Sequence, residues 1–182
     1  VAGQTAPGDG ICFQNYSFNI AANDVIVRHL RTRLGTNALQ ESDGMWINSG
    51  TNIIVDHLSA SWSVDETLST SREVANLTVQ NCFITESLQN SIHVKGAHGY
   101  GGIISGAFTT TYTYWHNLYA HHDSRNPRLG SDSQTGVLRL DFRNNVIYDW
   151  GFRAGYSGAT NETTELNYVG NYLIAGPSSS YN

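Results

Sequence analysis

The chain has 182 residues, a formal net charge of −5, and ten basic against fifteen acidic residues. This composition leaves no basic face of the kind that binds a nucleic-acid backbone, and no apolar run approaches the roughly 18 residues that span a bilayer. We therefore expect one domain over residues 1–182, with neither nucleic acid nor a membrane as a partner. The abundance of glycine, asparagine, serine and threonine favours turns and strands over long helices.

Six segments repeat one pattern along the chain, at the spacing typical of solenoid repeats. Each segment reads as a short β-branched strand, a bend and a second short strand, without an intervening helix. In chain order they are VIVRHLRTR, IIVDHLSAS, LTVQNCFIT, TYWHNLYAH, DFRNNVIYD and NYVGNYLIA, aligned on a central column formed by His29, His57, Asn81, Asn117, Asn145 and Asn171.

The columns around this centre predict a stacked, all-β fold. The residue after each centre is apolar, and the residue two positions before it is apolar in every segment except at Arg143. Asparagine tolerates the left-handed backbone of a sharp bend, and stacked asparagines can hydrogen-bond in a ladder. Such units bury a core only when they stack as parallel coils. The alternative is a two-sheet sandwich whose regular spacing is coincidental.

Parallel coils would bring charged residues of equal offset into columns along one face. Adjacent coils stack about 4.8 Å apart. Asp65 and Arg125 have equal offsets two coils apart, as do Asp43 and Lys95, so the residues of each pair would lie about 10 Å apart. The resulting groove would be acidic at one end and basic at the other. Asp43, Asp65 and Glu66 offer the oxygen ligands that Ca²⁺ prefers, although carboxylates on an exposed solenoid face are often only solvated.

Two further stretches carry candidate functional groups. Lys95 is the single lysine of the chain and stands in the glycine-rich stretch HVKGAHGYGG, which matches no phosphate-binding loop. His121, His122 and Asp123 could form a transition-metal site, but adjacent residues of an extended segment point in opposite directions. We therefore expect the histidines to serve in packing or hydrogen bonding.

The stretch SRNPRL places two arginines around a proline. Pro127 fixes one backbone angle and restricts the residue before it, so Arg125 and Arg128 are held more firmly than ordinary surface side chains. The structural alternative for Arg125 is a salt bridge to Asp123 or Asp141.

Taken together, these motifs resemble the pectate lyases, of the superfamily that also includes the pectin lyases. The resemblance covers nearly all of the chain, through VAGQTAPGDGI, NDVIVRHLRTRLG, IIVDHLSASWSVDETLS, FITESLQNSIHVKGAHGYGG, HNLYAHHDSRNPRL, DFRNNVIYDWG and NYVGNYLIAGP. It implies a right-handed single-stranded parallel β-helix from an extracellular, secreted enzyme. It also leads us to expect that residues 1–182 are the central part of a longer catalytic module.

The resemblance assigns a calcium site. Asp43 and Asp65 match acidic residues that supply calcium ligands in the family. The second aspartate of the family's Asp-x-x-x-Asp pair falls on Ser69 in this chain, and Glu66 offers a replacement carboxylate.

The resemblance also assigns the residues that meet the substrate. Lys95 matches a lysine that binds a substrate carboxylate, and Arg125 matches the proposed catalytic base, the first arginine of an Arg-x-Pro-x-x-Arg signature. The closing arginine of that signature falls on Gly130, so we expect Arg128 to take part of its role in substrate binding.

The implied activity is cleavage of polygalacturonate, the backbone of pectin, by calcium-assisted β-elimination, which yields 4,5-unsaturated oligogalacturonides. A guanidinium has a pKa above about 12, so an arginine base predicts activity at alkaline pH. We expect a monomer unless a partner chain caps an open end of the solenoid. Two alternatives remain: a polygalacturonase-like β-helix hydrolase, which needs carboxylates flanking the scissile bond, and a non-catalytic pectin-binding β-helix.

Overall fold

The computed structural model describes residues 1–106, 110–131 and 135–180 and consists of stacked parallel coils. In chain order its strands are β1 (Ile11–Gln14), β2 (Phe18–Ala21), β3 (Val25–Arg28), β4 (Leu30–Arg33), β5 (Met45–Asp56), β6 (Ser59–Ser61), β7 (Leu68–Gln80), β8 (Phe83–Thr85), β9 (Ile103–Ile104), β10 (Thr110–Trp115), β11 (Leu118–Ala120), β12 (Arg128–Leu129), β13 (Gly136–Arg143), β14 (Val146–Tyr148), β15 (Tyr156–Ser157), β16 (Glu162–Val169) and β17 (Tyr172–Ile174). This described part contains no helix, and hence no helix that could cross a membrane.

The strands form three faces around one core. One face is a seven-stranded sheet in the order β1-β4-β6-β8-β11-β14-β17. The other sheet has two arms, because the long strands β5 and β7 belong to both. In the first arm, the amino-terminal parts of β5 and β7 pair with β2 and β9, and the arm continues through β12 to β15. In the second arm, their carboxyl-terminal parts pair with β3 and β10, and the arm continues through β13 to β16. The predicted parallel β-helix is confirmed.

A single residue turns the chain from the second arm into the seven-stranded sheet in each of six successive coils. This residue has a positive φ, between 52° and 66°, at His29, His57, Asn81, His116, Asn144 and Gly170. Only a residue that tolerates the left-handed region fits this bend without large strain.

The central column predicted from the sequence was therefore wrong in its second half. Strand pairing aligns Gln80 with Trp115 and Trp115 with Arg143, so the bend residue is His116, not Asn117, and every later member moves by one position. The error arose because asparagine is found at both adjacent positions. One position needs a left-handed backbone, and the next needs a side chain that hydrogen-bonds.

The corrected register gives an apolar column without an exception. Val27, Val55, Val79, Tyr114 and Phe142 occupy equivalent inward positions, and each is at most 1% exposed. Burial of each such side chain contributes roughly 1.5–3 kcal/mol. The member in the last coil, Tyr168, is 46% exposed. Arg143, the exception in the earlier alignment, lies one residue further along and forms an ion pair with Asp141 on the surface.

The predicted asparagine ladder exists, but inside the solenoid. The side-chain amide of Asn117 donates to Asn145 Oδ1 at 3.0 Å, and that of Asn145 donates to Asn171 Oδ1 at 3.1 Å. Below them, the backbone N–H of Cys82 donates to Asn117 Oδ1 at 3.0 Å. Asn117 and Asn145 thus occupy the inward positions that leucines and Cys82 fill in the earlier coils, and their polar groups are satisfied within the stack.

Candidate active site

The first arm carries a groove of about 430 Å³ that runs across neighbouring coils. Acidic side chains, small hydroxyl side chains and one tryptophan line it, among them Asp43, Trp46, Asp65, Glu66, Ser69 and Ser71. The acidic residues stand just before β5 and β7, where the chain enters the first arm. A groove of this composition can bind a polar ligand that is longer than one coil.

Three predicted calcium ligands meet in this groove. Because Met45 pairs with Leu68, Asp43 lies beside Glu66, and the backbone N–H of Glu66 donates to Asp43 Oδ1 at 3.4 Å. Asp43, Asp65 and Glu66 present oxygen atoms within 4.8 Å of one another. The short sequence separation of Asp65 and Glu66, and the pairing of β5 with β7, are therefore sufficient to build the cluster.

The carboxyl group of Asp43 is strongly perturbed by this crowding. Burial, and secondly the carboxylate of Asp65, raise its pKa to about 8. A hydrogen bond from Ser69 and the charge of Arg125 act in the opposite direction. Ser69, which stands where the family has a second aspartate, thus supplies a hydrogen bond in place of a negative charge.

Arg125 lies within the same cluster. Its Nη1 forms an ion pair with Glu66 Oε1, and its guanidinium lies 4.0 Å from the centroid of the Tyr100 ring. The backbone of Arg125 has φ of 59°, a conformation that costs of the order of 1 kcal/mol outside glycine and is often found at functional sites. The structural alternative predicted from the sequence, an ion pair with Asp123 or Asp141, is wrong because Glu66 is the partner.

The predicted column of Asp65 and Arg125 is also wrong, although both residues reach the cluster. Parallel bridges join Glu66 to Tyr100 and Tyr100 to Ser124, which places Arg125 two positions beyond the Asp65 column. The offset has two sources, the shifted central column and loops of unequal length between coils. Equal sequence offsets are therefore an unreliable guide to columns on the first arm.

Lys95 is exposed on the loop between β8 and β9. Its predicted column with Asp43 is wrong: Asp43 aligns with Glu66 and Glu66 with Tyr100, so the equivalent position two coils away is Tyr100. The backbone N–H of Lys95 donates to His93 Nδ1 at 3.1 Å. His93 in turn lies near Asp65 of the acidic cluster, with Nε2 3.8 Å from Oδ2.

Arg128 occupies β12, in register with Ile103 and Tyr156 of the adjoining coils. Its Nη2 donates to the backbone carbonyl of Gly158 at 3.3 Å. Two positions further, Gly130 has φ of 76°, and a Cβ added there would lie 2.5 Å from Ala159 Cβ. The closing arginine of the family signature cannot be accommodated at this position without a backbone shift.

Several residues of the site escaped the sequence prediction. His98 Nε2 lies 2.7 Å from Asp65 Oδ1, and its ring stacks on that of His93. Trp46 is 38% exposed in the groove, and its indole N–H donates to Ser71 Oγ at 2.6 Å. The only sequence signal for His98 is its place three residues after Lys95, and an isolated outward tryptophan has no signal of its own.

The histidines beside the arginine motif make hydrogen-bonding contacts with separate partners. Nδ1 of His121 contacts Asp149, and Asp123 accepts a hydrogen bond from Gln89. His122 is buried, with Nδ1 2.8 Å from Ser87 Oγ, and burial lowers its pKa to about 4. The predicted role in packing and hydrogen bonding is confirmed.

The chemistry of the acidic cluster fits a calcium ion. Three carboxylates face one guanidinium, so the fully ionised group carries two uncompensated negative charges. Hard oxygen donors of this kind are the preferred ligands of Ca²⁺. Asp43, Asp65 and Glu66 would hold the ion, with Glu66 shared between it and Arg125.

Comparison with known proteins agrees with this geometry. No family model matches the chain. It is 38% identical over 99% of its length to the "Probable pectate lyase C" of Aspergillus flavus, and 37% identical over 99% of its length to proteins of the same name from Aspergillus fumigatus and Emericella nidulans. The chain spans about two fifths of the length of these curated relatives. This similarity confirms the resemblance drawn from the motifs, because nearly the whole chain is similar to proteins named as probable pectate lyases.

Proposed function

We propose that the groove on the first arm is the active site of a secreted, extracellular pectate lyase that cleaves polygalacturonate with the help of calcium. One observation carries the proposal: Arg125 lies within a cluster of carboxylates whose number and chemistry suit Ca²⁺. The name shared by the fungal relatives supports the same reaction.

In the proposed reaction, Arg125 accepts the proton from C5 of a galacturonate residue. The C5–H bond breaks, a double bond forms between C4 and C5, and the C4–O bond breaks with expulsion of the glycosidic oxygen, which takes up a proton. The weakly acidic C5–H bond becomes reactive when the neighbouring carboxylate is held against positive charge, because the developing anion spreads onto it. When bound, Ca²⁺ would supply part of that charge.

Lys95 and Arg128 are the proposed partners of further substrate carboxylates. Polygalacturonate carries one carboxylate per sugar, and a chain laid along the first arm would cross successive coils. Arg128 stands in an outward column of this arm, and Lys95 lies on the loop that joins β8 to β9. Cations at these two positions would suit a polyanionic substrate laid along this arm.

Glu66 couples the proposed base to the proposed cation site, because its carboxylate contacts Arg125 and belongs to the acidic cluster. A guanidinium has to lose a proton before it can act as a base, and this requires alkaline conditions. We expect the rate of elimination to increase toward alkaline pH. Full activity at about pH 5 would contradict an arginine base.

One observation favours hydrolysis as a second candidate function. A carboxyl group that stays protonated near neutral pH beside an ionised one is the arrangement of a glycosidase acid and base, and the pKa of Asp43 is raised to about 8 beside Asp65. The reaction would then resemble that of polygalacturonases. The lyase remains the better candidate because hydrolysis has no use for Arg125 inside the cluster.

Analysis of the products from polygalacturonate tests the proposal. Elimination creates a double bond that absorbs in the ultraviolet, whereas hydrolysis produces reducing ends without this absorbance. A pectin-binding module without activity produces neither. Unsaturated products that disappear when a chelator is added support the lyase, and reducing ends without absorbance support the hydrolase.

A further inference from the structure

Two stacked histidines stand behind the acidic cluster without a role in the proposed reaction. His93 and His98 have side chains that are only 4% and 8% exposed, and their ring centroids lie 3.8 Å apart at an interplanar angle of 17°. Both rings come from the loop between β8 and β9. Burial of two imidazoles costs free energy unless their ring nitrogens have polar partners.

The outer nitrogens of both rings face carboxylates. His98 Nε2 lies 2.7 Å from Asp65 Oδ1. His93 Nε2 lies 3.8 Å from Asp65 Oδ2 and 3.7 Å from Glu41 Oε2. Asp65 is therefore approached by imidazole nitrogens on both of its oxygen atoms.

The proton positions argue against a transition metal between these residues. The backbone N–H of Lys95 donates to His93 Nδ1 at 3.1 Å, so the Nδ1 lone pair is occupied and the proton of the neutral ring is on Nε2. A metal ligand at Nε2 would need a lone pair there, and a neutral ring would then carry its proton on Nδ1. His93 thus presents an N–H group, not a lone pair, to Asp65 and Glu41.

His98 also contacts Tyr100, the residue that packs against the proposed base Arg125. Its ring meets the edge of Tyr100 with centroids 4.4 Å apart, and Tyr100 in turn packs under the guanidinium of Arg125 at 4.0 Å. One packed wall therefore supports a carboxylate of the cluster on one side and Arg125 on the other.

We propose that His98 is a positioning residue, which holds Asp65 in the orientation that binds a calcium ion, while His93 keeps the ring of His98 in place by stacking. This inference rests on the calcium site of the proposed function. The 2.7 Å contact with His98 Nε2 holds one oxygen of Asp65, and the same carboxylate belongs to the cluster with Asp43 and Glu66. Outer contacts of this kind to a ligand side chain are worth about 10- to 100-fold in metal affinity.

Calcium affinity, measured by calorimetry in the absence of substrate, tests the role of His98. His98→Phe keeps the aromatic stack but removes the donor, and we expect it to raise the Kd for Ca²⁺ at least about tenfold. His98→Gln keeps an N–H near the position of Nε2 and should recover part of that loss. His116→Asn, which removes an exposed imidazole and keeps a residue that tolerates the left-handed bend, is the control and should leave the Kd unchanged.

The outcomes separate the two proposals. If the wild-type protein binds Ca²⁺ and His98→Phe binds it equally well, the positioning role is wrong while the proposed function stands. A wild-type protein that binds no Ca²⁺ overturns both the calcium site and the positioning role. Stoichiometric binding of Zn²⁺ that His93→Ala and His98→Gln each abolish would show that the pair ligates a metal, and would overturn the inference directly.

Discussion

Glu66 and Arg125 form an ion pair across two coils of the solenoid, and the pair joins the proposed base to the proposed cation site. Glu66 is only 5% exposed, so its charge is compensated mainly by Arg125 within the protein. Removal of either partner leaves a buried charge, which is costly. A variant at one site should therefore alter the other, and calcium binding and turnover have to be measured separately.

Arg125→Lys should lower the turnover number by about 10²- to 10⁴-fold, the usual contribution of a positioned acid or base. The lysine keeps a positive charge near Glu66, so we expect the Kd for Ca²⁺ to change little. Initial rates on polygalacturonate and calorimetry with Ca²⁺ check the two parts. Arg139→Lys, at an exposed ion pair with Glu165 on the second arm, serves as the control. Turnover of Arg125→Lys within a few-fold of wild type would mean that another group is the base.

Ser69→Asp should restore a fourth carboxylate to the cluster. Ser69 contacts Asp43, so the added charge would repel its neighbours in the ion-free protein and attract a divalent cation. We expect a lower Tm in chelator and a Kd for Ca²⁺ that is about tenfold lower. Thermal unfolding with and without Ca²⁺ measures both effects. Ser69→Asn has nearly the same shape without the charge, and an equal gain in affinity for Asn would rule out the electrostatic explanation.

Trp46→Ala should weaken substrate binding with little effect on turnover. The indole lies in the groove beside the acidic cluster, and its orientation is fixed by the hydrogen bond to Ser71. Loss of about 1 kcal/mol of ring packing would raise KM about fivefold. Trp62→Ala is a matched control, because Trp62 is 46% exposed and its indole N–H also contacts an outward side chain, that of Glu86. An unchanged KM for Trp46→Ala would exclude the tryptophan from the substrate path.

The stability of the protein should fall in mild acid because of His122. In the unfolded chain the pKa is near 6.5, whereas burial in the folded protein lowers it to about 4. The unfolded state therefore binds more protons below about pH 6.5, and stability declines as the pH falls toward 4. Between about pH 7.5 and pH 5 we expect this residue to lower the free energy of unfolding by about 2 kcal/mol.

Urea unfolding of the wild type and of His122→Gln at the two pH values checks this contribution. Glutamine can keep contacts with Ser87 and the Ile84 carbonyl but does not titrate. The variant should be less stable at neutral pH yet show a smaller loss of stability on acidification. The same pH dependence in both proteins would assign it to other groups.

Much of the fold could be predicted from the sequence, since β-branched segments at solenoid spacing leave few other ways to bury their apolar faces. The register could not be predicted fully. In the last three coils the bend residue and the ladder residue are neighbours, and asparagine suits both, as at Asn144 and Asn145. Only the strand pairing separates the two roles.

The candidate site shows the same division. Motifs were sufficient to select Asp43, Asp65, Glu66 and Arg125, which the structure brings together. The ion pair itself was not predictable, because it depends on loop lengths that shift one coil against the next. His98 was missed because the only local clue is a histidine in a glycine-rich loop, and its contact with Asp65 forms when that loop folds back.

The most direct measurement of the central claim is the ultraviolet absorbance of products formed from polygalacturonate at alkaline pH by the wild-type protein and by Arg125→Lys. We predict steady formation of unsaturated product by the wild type in Ca²⁺, its loss in excess chelator, and a rate at least about 100-fold lower for the variant in Ca²⁺. A folded wild-type protein that forms no unsaturated product with Ca²⁺ present, or a variant as fast as the wild type, would contradict the account.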